Sequence, residues 1–224
     1  MVWVGVRKGR RGKREKGKSV MAIMVLDPYV EEHILAERLD SEGNRYDEVW
    51  EGVYVMAPLP NDEHQQLVCD LASILQEIIG WLRLGNVRAG VNLSDRDEGW
   101  KTNFREPDVA VFLRDTKAIN RGTHWQGAAD FLVEIISPGE RTRDKLPFYS
   151  SLGVVELLII DRDPWTLELY RHQDGQLTKV GQSTLSAPEV LASQTVGLTF
   201  QLLPGETRPQ INVTHPASGR LWQI

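Results

Sequence analysis

The chain has 224 residues, 41% hydrophobic and 25% charged, with a formal net charge of −5 at pH 7. That length supports one domain with a real core, and the composition is that of an ordinary soluble globular protein. The single cysteine, Cys69, excludes an internal disulfide, and no apolar run approaches the roughly 20 residues needed to span a bilayer. A reducing cytoplasm suits such a chain. Cys69 falls within an apolar helical pattern, so it is expected to pack rather than react.

Residues 1–26 form a basic extension: Arg7, Lys8, Arg10, Arg11, Lys13, Arg14, Lys16 and Lys18 face one acid, Glu15. The apolar stretch Val20–Leu26 is short and runs into Asp27-Pro28 without a small-residue cleavage pattern, so it does not read as a signal peptide. Two readings of the extension stand equal. It is a nucleic-acid-binding arm, or translation starts at Met21 or Met24. Behind it, residues 19–82 carry a net charge of −11, whereas residues 83–145 carry +1. An acidic body binds polyanions poorly, so any nucleic-acid surface must be local and drawn from residues 83–145.

Residues 27–203 read as the main domain. Asp27-Pro28 opens a helix to about Leu39, with Asp as N-cap and Pro at the first helical position. Val49-Trp50 and Val53–Ala57 flank Glu51-Gly52 as a strand pair. The helical spacing of Leu67, Leu71, Ile74, Leu75, Ile78 and Leu82 predicts a long helix over about 62–83, capped by Asn61 or Asp62. Strands are predicted over Asn86–Leu93, Arg105–Leu113 and Asp130–Ile136. A helix follows over about Asp144–Leu152, with Asp144 as N-cap and Gly153 as its stop. The Val, Leu and Ile run Val154–Asp161 predicts a strand covered on both faces. A hairpin then turns at Asp174-Gly175, between Thr166–Arg171 and Leu177–Val180. Residues 204–224 are rich in Pro and polar residues and read as a loosely held tail. This order predicts an α/β domain, a mixed central sheet flanked by helices.

Two acids stand out. Asp108 opens the apolar run Val109–Leu113, and Glu134 sits inside Phe131–Ile136. A carboxylate in so apolar a strand costs free energy unless something pairs with it. Adjacent strands would bring the two acids together, and a divalent cation is the usual compensation. The alternative is two unrelated charges at sheet ends. Beyond Glu134, Ser137-Pro138-Gly139 ends the strand, and the following helix start can return Lys145 toward Glu134. Two carboxylates and an ammonium suit metal-assisted phosphodiester hydrolysis. The acids would hold Mg²⁺ or Mn²⁺, and the lysine would orient water or offset developing charge.

The ordered text Glu51–Pro58, His64-Gln65, Pro107–Val111, Val133–Pro138, Asp144-Lys145, Tyr149, Gly153-Val154 and Ile160-Asp161 resembles the Uma2 (DUF820) family of the PD-(D/E)XK restriction-endonuclease-like superfamily. The resemblance covers about residues 28–203. It implies a restriction-endonuclease-like fold and a Mg²⁺-dependent endonuclease acting on DNA. Asp108, Glu134 and the Ile135 carbonyl would be metal ligands, and Lys145 would replace the lysine usually found two residues after the acid, where Ile136 stands. A homodimer is implied because cutting a duplex needs two sites. His64, at a helix start that would lower its pKa, and Glu48 or Glu51 are possible accessory residues by the same resemblance; a surface histidine near a cap is an equal reading of His64. Gln65 reads as capping, and Tyr149 as core. Arg105, Arg141 and Arg143 are candidate DNA contacts beside the acids. The rival reading is a catalytically inactive nucleic-acid-binding or protein-interaction module on the same fold.

Overall fold

The computed structural model describes residues 23–25, 46–137 and 141–224. The predicted helix over 27–39 and the basic run over 7–18 lie outside these residues. Among the described residues the strands form three sheets.

The central sheet has six strands: β4 (Gly85–Ala89), β7 (Val109–Leu113), β10 (Phe131–Ile136), β11 (Glu156–Arg162), β12 (Trp165–Gln173) and β13 (Gln176–Thr184). Their order is β13-β12-β11-β10-β7-β4, with β10 and β11 parallel and the other neighbours antiparallel. Alternation along the strands sorts the core. Val109, Val111, Phe131, Val133, Ile135, Leu158 and Ile160 face one side, and Ala110, Phe112, Leu132, Ile136, Leu157 and Ile159 the other. Helix α1 (Asp62–Leu75) lays Leu67, Leu71, Ile74 and Leu75 on the first side. The crossover helix α2 (Leu146–Leu152) packs Phe148 and Tyr149 on the second. Burial on both faces explains why β10 and β11 read as nearly continuous apolar runs.

A seven-stranded sheet of short strands lies alongside: β1 (Ile23–Val25), β2 (Glu48–Trp50), β3 (Val53–Met56), β5 (Leu93–Ser94), β6 (Phe104–Arg105), β8 (Ile119–Asn120) and β9 (Trp125–Gln126). The predicted strand pair is the β2–β3 hairpin. Its two turn residues, Glu51 and Gly52, both have positive φ (48° and 81°), the conformation whose twist joins adjacent antiparallel strands. Strand β1 pairs with β3, so the end of the supposed N-terminal extension is part of a sheet.

Five further expectations are corrected. The long helix leaves α-geometry at Leu75 and finishes as a wider π-type turn over Gln76–Gly80, where Trp81 N–H donates to the Gln76 carbonyl at 2.8 Å. The strands predicted over 86–93 and 105–113 each divide between two sheets. Gly90 breaks the first at φ 58°, and Pro107, which has no N–H for a ladder, breaks the second. Before α2, a 3-10 turn spans Thr142–Lys145; Asp144 does not cap the helix but accepts from Arg141 Nε at 2.5 Å. Cys69 is exposed, because the buried stripe of α1 runs through His64, Leu67, Val68, Leu71, Ile74 and Leu75.

The C-terminal reading is corrected as well. Strands β14 (Leu191–Ala192), β15 (Thr199–Leu203), β16 (Gln210–His215) and β17 (Arg220–Gln223) form a third, antiparallel sheet. Phe200, Leu202, Ile211 and Val213 are fully buried in the same core cluster as α1. Proline and polar residues mark the turns of this segment, while its alternating apolar residues form the inner face. Glu156 ties the sheet to β11. It accepts from Arg171 Nε (2.8 Å), Ser193 Oγ (2.5 Å), Gln194 N (3.2 Å) and Thr195 N (3.1 Å).

Candidate active site

The β7–β10 register sets Val109 against Val133, so the next pair outward is Asp108 and Glu134. The two acids thus stand opposite each other on neighbouring strands, on the face that carries Ala110, Phe112, Leu132 and Ile136. Pro107 stops the ladder one residue earlier and leaves Asp108 at the mouth of the sheet. Its side chain is 19% exposed, against 4% for Glu134.

Each acid is held on several sides. Asp108 Oδ2 accepts the Ile135 N–H at 2.6 Å, and Oδ1 lies 3.2 Å from His64 Nε2. His64 is therefore neither a surface residue nor a cap. Asn61 Oδ1 caps α1 by accepting the His64 N–H at 2.9 Å, and the imidazole is buried. Gln65 does not cap; its Nε2 donates to the Tyr46 hydroxyl at 3.1 Å. Glu134 meets Lys145 Nζ at 3.1 Å from both carboxylate oxygens, and the Tyr149 hydroxyl donates to Oε1 at 2.5 Å. Tyr149 is fully buried, so it serves the core and the acid together.

Glu48 joins from the seven-stranded sheet. Its Oε1 lies 2.8 Å from Lys145 Nζ and accepts the Glu106 N–H at 2.8 Å, while Oε2 accepts the Trp50 indole N–H at 2.6 Å. Of the two candidate acids, the structure brings Glu48 to the site and not Glu51. Glu51 sits on the exposed hairpin turn, with Asn103 Nδ2 donating to it at 2.6 Å.

The three arginines also separate. Arg105 is buried, its guanidinium carbon 4.7 Å from the Trp50 ring centroid and 4.2 Å from that of Phe148, and it donates to the Val49 carbonyl at 2.9 Å. It is a structural cation, not a surface contact, which corrects its reading as a DNA grip. Arg143 is committed to Asp161 (3.0 Å) and Glu168 (3.1 Å). Arg141, paired with Asp144 at 2.5 Å, lies on the cleft wall.

Residue Arg162 carries no motif in the sequence, yet it braces the site. Its Nη1 donates to Asn61 Oδ1 (2.9 Å) and Glu63 Oε2 (3.0 Å) at the start of α1. Its Nε donates to the Ile136 carbonyl (3.3 Å) at the end of β10. An arginine closing a run of Val, Leu and Ile was the available signal.

The acids open onto one cleft. Glu48, Glu106, Asp108 and Glu134 line it, against the bases Arg141 and Lys145 and the imidazole of His64. Burial, reinforced by the charges of Asp108 and Glu48, pushes the Glu134 carboxyl up to about 8 despite the neighbouring ammonium of Lys145. Burial also drives the Tyr149 hydroxyl well above its ordinary value, so it stays a donor.

Among the described residues, no group of three His, Cys, Asp or Glu side chains forms a ready-made metal shell. The donor chemistry still fits a hard divalent cation. Mg²⁺ commonly takes one or two carboxylates and completes its shell with water and phosphate oxygens. Two opposed carboxylates in an acid-rich cleft, one of them too buried to ionise easily, supply that set.

A mixed sheet flanked by helices, with two acids opposed at one end and a lysine closing on them, defines a nuclease-like protein of the restriction-endonuclease type. Residues 30–203 match the Uma2 family, described as "Putative restriction endonuclease", and the chain belongs to that family. Among solved structures it is similar to a "putative nuclease belonging to DUF820" from Anabaena variabilis ATCC 29413. The identity is 20% and the TM-score 0.49, over 59% of this chain and 75% of that one. No curated protein matches the sequence.

Proposed function

We propose that the chain is a metal-dependent endonuclease hydrolysing DNA phosphodiester bonds. The observation that carries this reading is the opposition of Asp108 and Glu134 at one cleft, with Lys145 Nζ 3.1 Å from both oxygens of Glu134. Asp108, Glu134 and the Ile135 carbonyl would hold Mg²⁺ or Mn²⁺. When bound, the cation acidifies a water and offsets charge on the phosphoryl oxygens.

The chain's own residues supply the rest. His64 and the Ile135 N–H fix the Asp108 carboxylate from two sides. Tyr149 and Lys145 fix Glu134, and Glu48 anchors the lysine from the other sheet. From there Lys145 directs the attacking water. The water oxygen bonds to phosphorus, one P–O ester bond breaks, and the products are a phosphate monoester and a hydroxyl end. Arg141, on the cleft wall, contacts the phosphate backbone. A homodimer supplies a second site, and the cytoplasm is the place of action. Among the described residues no helix is long and apolar enough to cross a membrane.

The test is cleavage of supercoiled plasmid and of circular single-stranded DNA with Mg²⁺ or Mn²⁺, against an EDTA control. Wild type is expected to cut at least one form, and Glu134→Ala and Lys145→Ala to lose at least 100-fold, about 3 kcal/mol of barrier. No cutting of either form, or undiminished cutting by Glu134→Ala, refutes the reading. It would favour the inactive binding module, which the acidic cleft and the committed Arg105 and Arg143 also suit.

A further inference from the structure

Two clefts meet at Asp108. Besides the one described above, a second is bounded by Gln65, Val68 and Gly90, and shares Tyr46, Glu106 and Asp108 with the first. A chain running from one cleft to the other passes over Asp108.

One wall of the first cleft is apolar, built from Tyr46, Trp50, Val55, Ala57, Pro58 and Pro60. Trp50 is immobilised before any ligand arrives. Its N–H is held by Glu48, and Arg105 lies between its ring and that of Phe148. A ring fixed in advance loses little freedom when a base stacks on it.

A duplex needs a different surface. Proteins gripping double-stranded DNA make several phosphate contacts, often about 6–10, and their interfaces are strongly positive. Among the described residues, four carboxyls line the first cleft against two bases and an imidazole, and the second adds no base. Arg105 is buried, and Arg143 is taken up by Asp161 and Glu168.

We propose that the substrate is single-stranded DNA, with one nucleotide in each cleft, a base against Trp50 and the scissile phosphate over Asp108. The position of the cut rests on the nuclease reading above; the binding mode does not.

The test is fluorescence anisotropy with the full chain, as wild type in EDTA and as Glu134→Gln in Mg²⁺. A 30-nucleotide single strand is compared with the duplex of the same sequence at about 0.2 M salt, where sequence-independent grip by basic segments is weakened. The single strand is expected to bind at least tenfold more tightly. A second readout uses a strand carrying 2-aminopurine, whose fluorescence falls when its base stacks. Quenching is expected with wild type and Trp50→Phe but not with Trp50→Leu. Both variants lose the N–H to Glu48, so their difference reports stacking rather than the positioning of Glu48. Equal or tighter duplex binding, no binding of the single strand, or equal quenching by Phe and Leu overturns the proposal. Metal-dependent cutting that favours duplex would leave the nuclease reading intact and remove this one. Strand binding with quenching but without cleavage of either DNA form would do the reverse.

Discussion

Replacing Glu134 with Gln should stabilise the metal-free protein at neutral pH while destroying its metal site. The Glu134 carboxyl is raised from 4.5 to about 8, chiefly by burial. Between those values the folded chain keeps a proton that the unfolded chain releases. Stability therefore falls as pH rises through that window. At about 1.4 kcal/mol per unit, the loss between pH 4.5 and 7 is at most about 3 kcal/mol. Glutamine fills the same space, can still accept from the Tyr149 hydroxyl, and has no proton to lose. Lys145 keeps Glu48 as its partner at 2.8 Å. Urea unfolding in EDTA at pH 5.5, 7 and 8 should show the wild type losing stability relative to Glu134→Gln by on the order of 1–3 kcal/mol across the series. Mg²⁺ should restore wild-type stability at pH 8 and leave the variant unchanged, because ligation needs the ionised carboxylate. A wild type whose difference from the variant is flat with pH would mean that Glu134 ionises freely, and the burial argument would fail.

Other perturbations read neighbouring parts of the fold. Lys145→Met leaves Glu48 and Glu134 without their shared ammonium. It should cost about 3 kcal/mol at pH 8 and less at pH 5.5, where Glu134 holds a proton; urea titration at both values separates the two. Glu48→Ala should lower cleavage at least tenfold, whereas Glu51→Ala, on the exposed hairpin turn, should leave it unchanged; parallel plasmid and single-strand assays decide. Glu156→Ala should cost on the order of 3 kcal/mol by urea titration, because it strands the buried side of Arg171 and releases the 193–195 turn. The Glu156 carboxyl is held below its ordinary 4.5, so its stabilising effect is present above that value and fades as pH falls; the gap between wild type and variant should narrow in acid. Deleting residues 205–224 removes β16 and β17 and uncovers Phe200 and Leu202. The product should aggregate or be rapidly proteolysed rather than behave as wild type.

The elements whose signal is local were legible in the sequence. Strands β10 and β11, buried on both faces, show as apolar runs; α1 shows as a 3.6-residue period; the β2–β3 hairpin shows as two β-rich segments around Glu51-Gly52. What was lost is what depends on partners. Residues 105–113 read as one strand because their apolar run suits a sheet, yet Pro107 passes the chain from one sheet to another. That passage is what brings Asp108 opposite Glu134 and places Glu48, from the other sheet, behind them. The C-terminal strands were missed because their turn-rich composition outweighed the short alternation of Ile211 and Val213. Arg105 read as a phosphate contact because its rings, Trp50 and Phe148, lie 55 and 43 residues away in the chain.

Period-two alternation also explains why lysine can arrive from elsewhere. The residue two after Glu134 points to the same side of the sheet, and there Ile136 packs against the α2 face rather than the cleft. A lysine at that position would lie along the strand and depend on the sheet alone. Lys145 instead stands on the 3-10 turn leading into α2, and its ammonium touches Glu134 from the central sheet and Glu48 from its neighbour. One side chain thus links the crossover, the central sheet and the strand pair. A shift of α2 would move the ammonium relative to both acids, so the geometry of the site is set by the packing of Phe148 and Tyr149 on that helix.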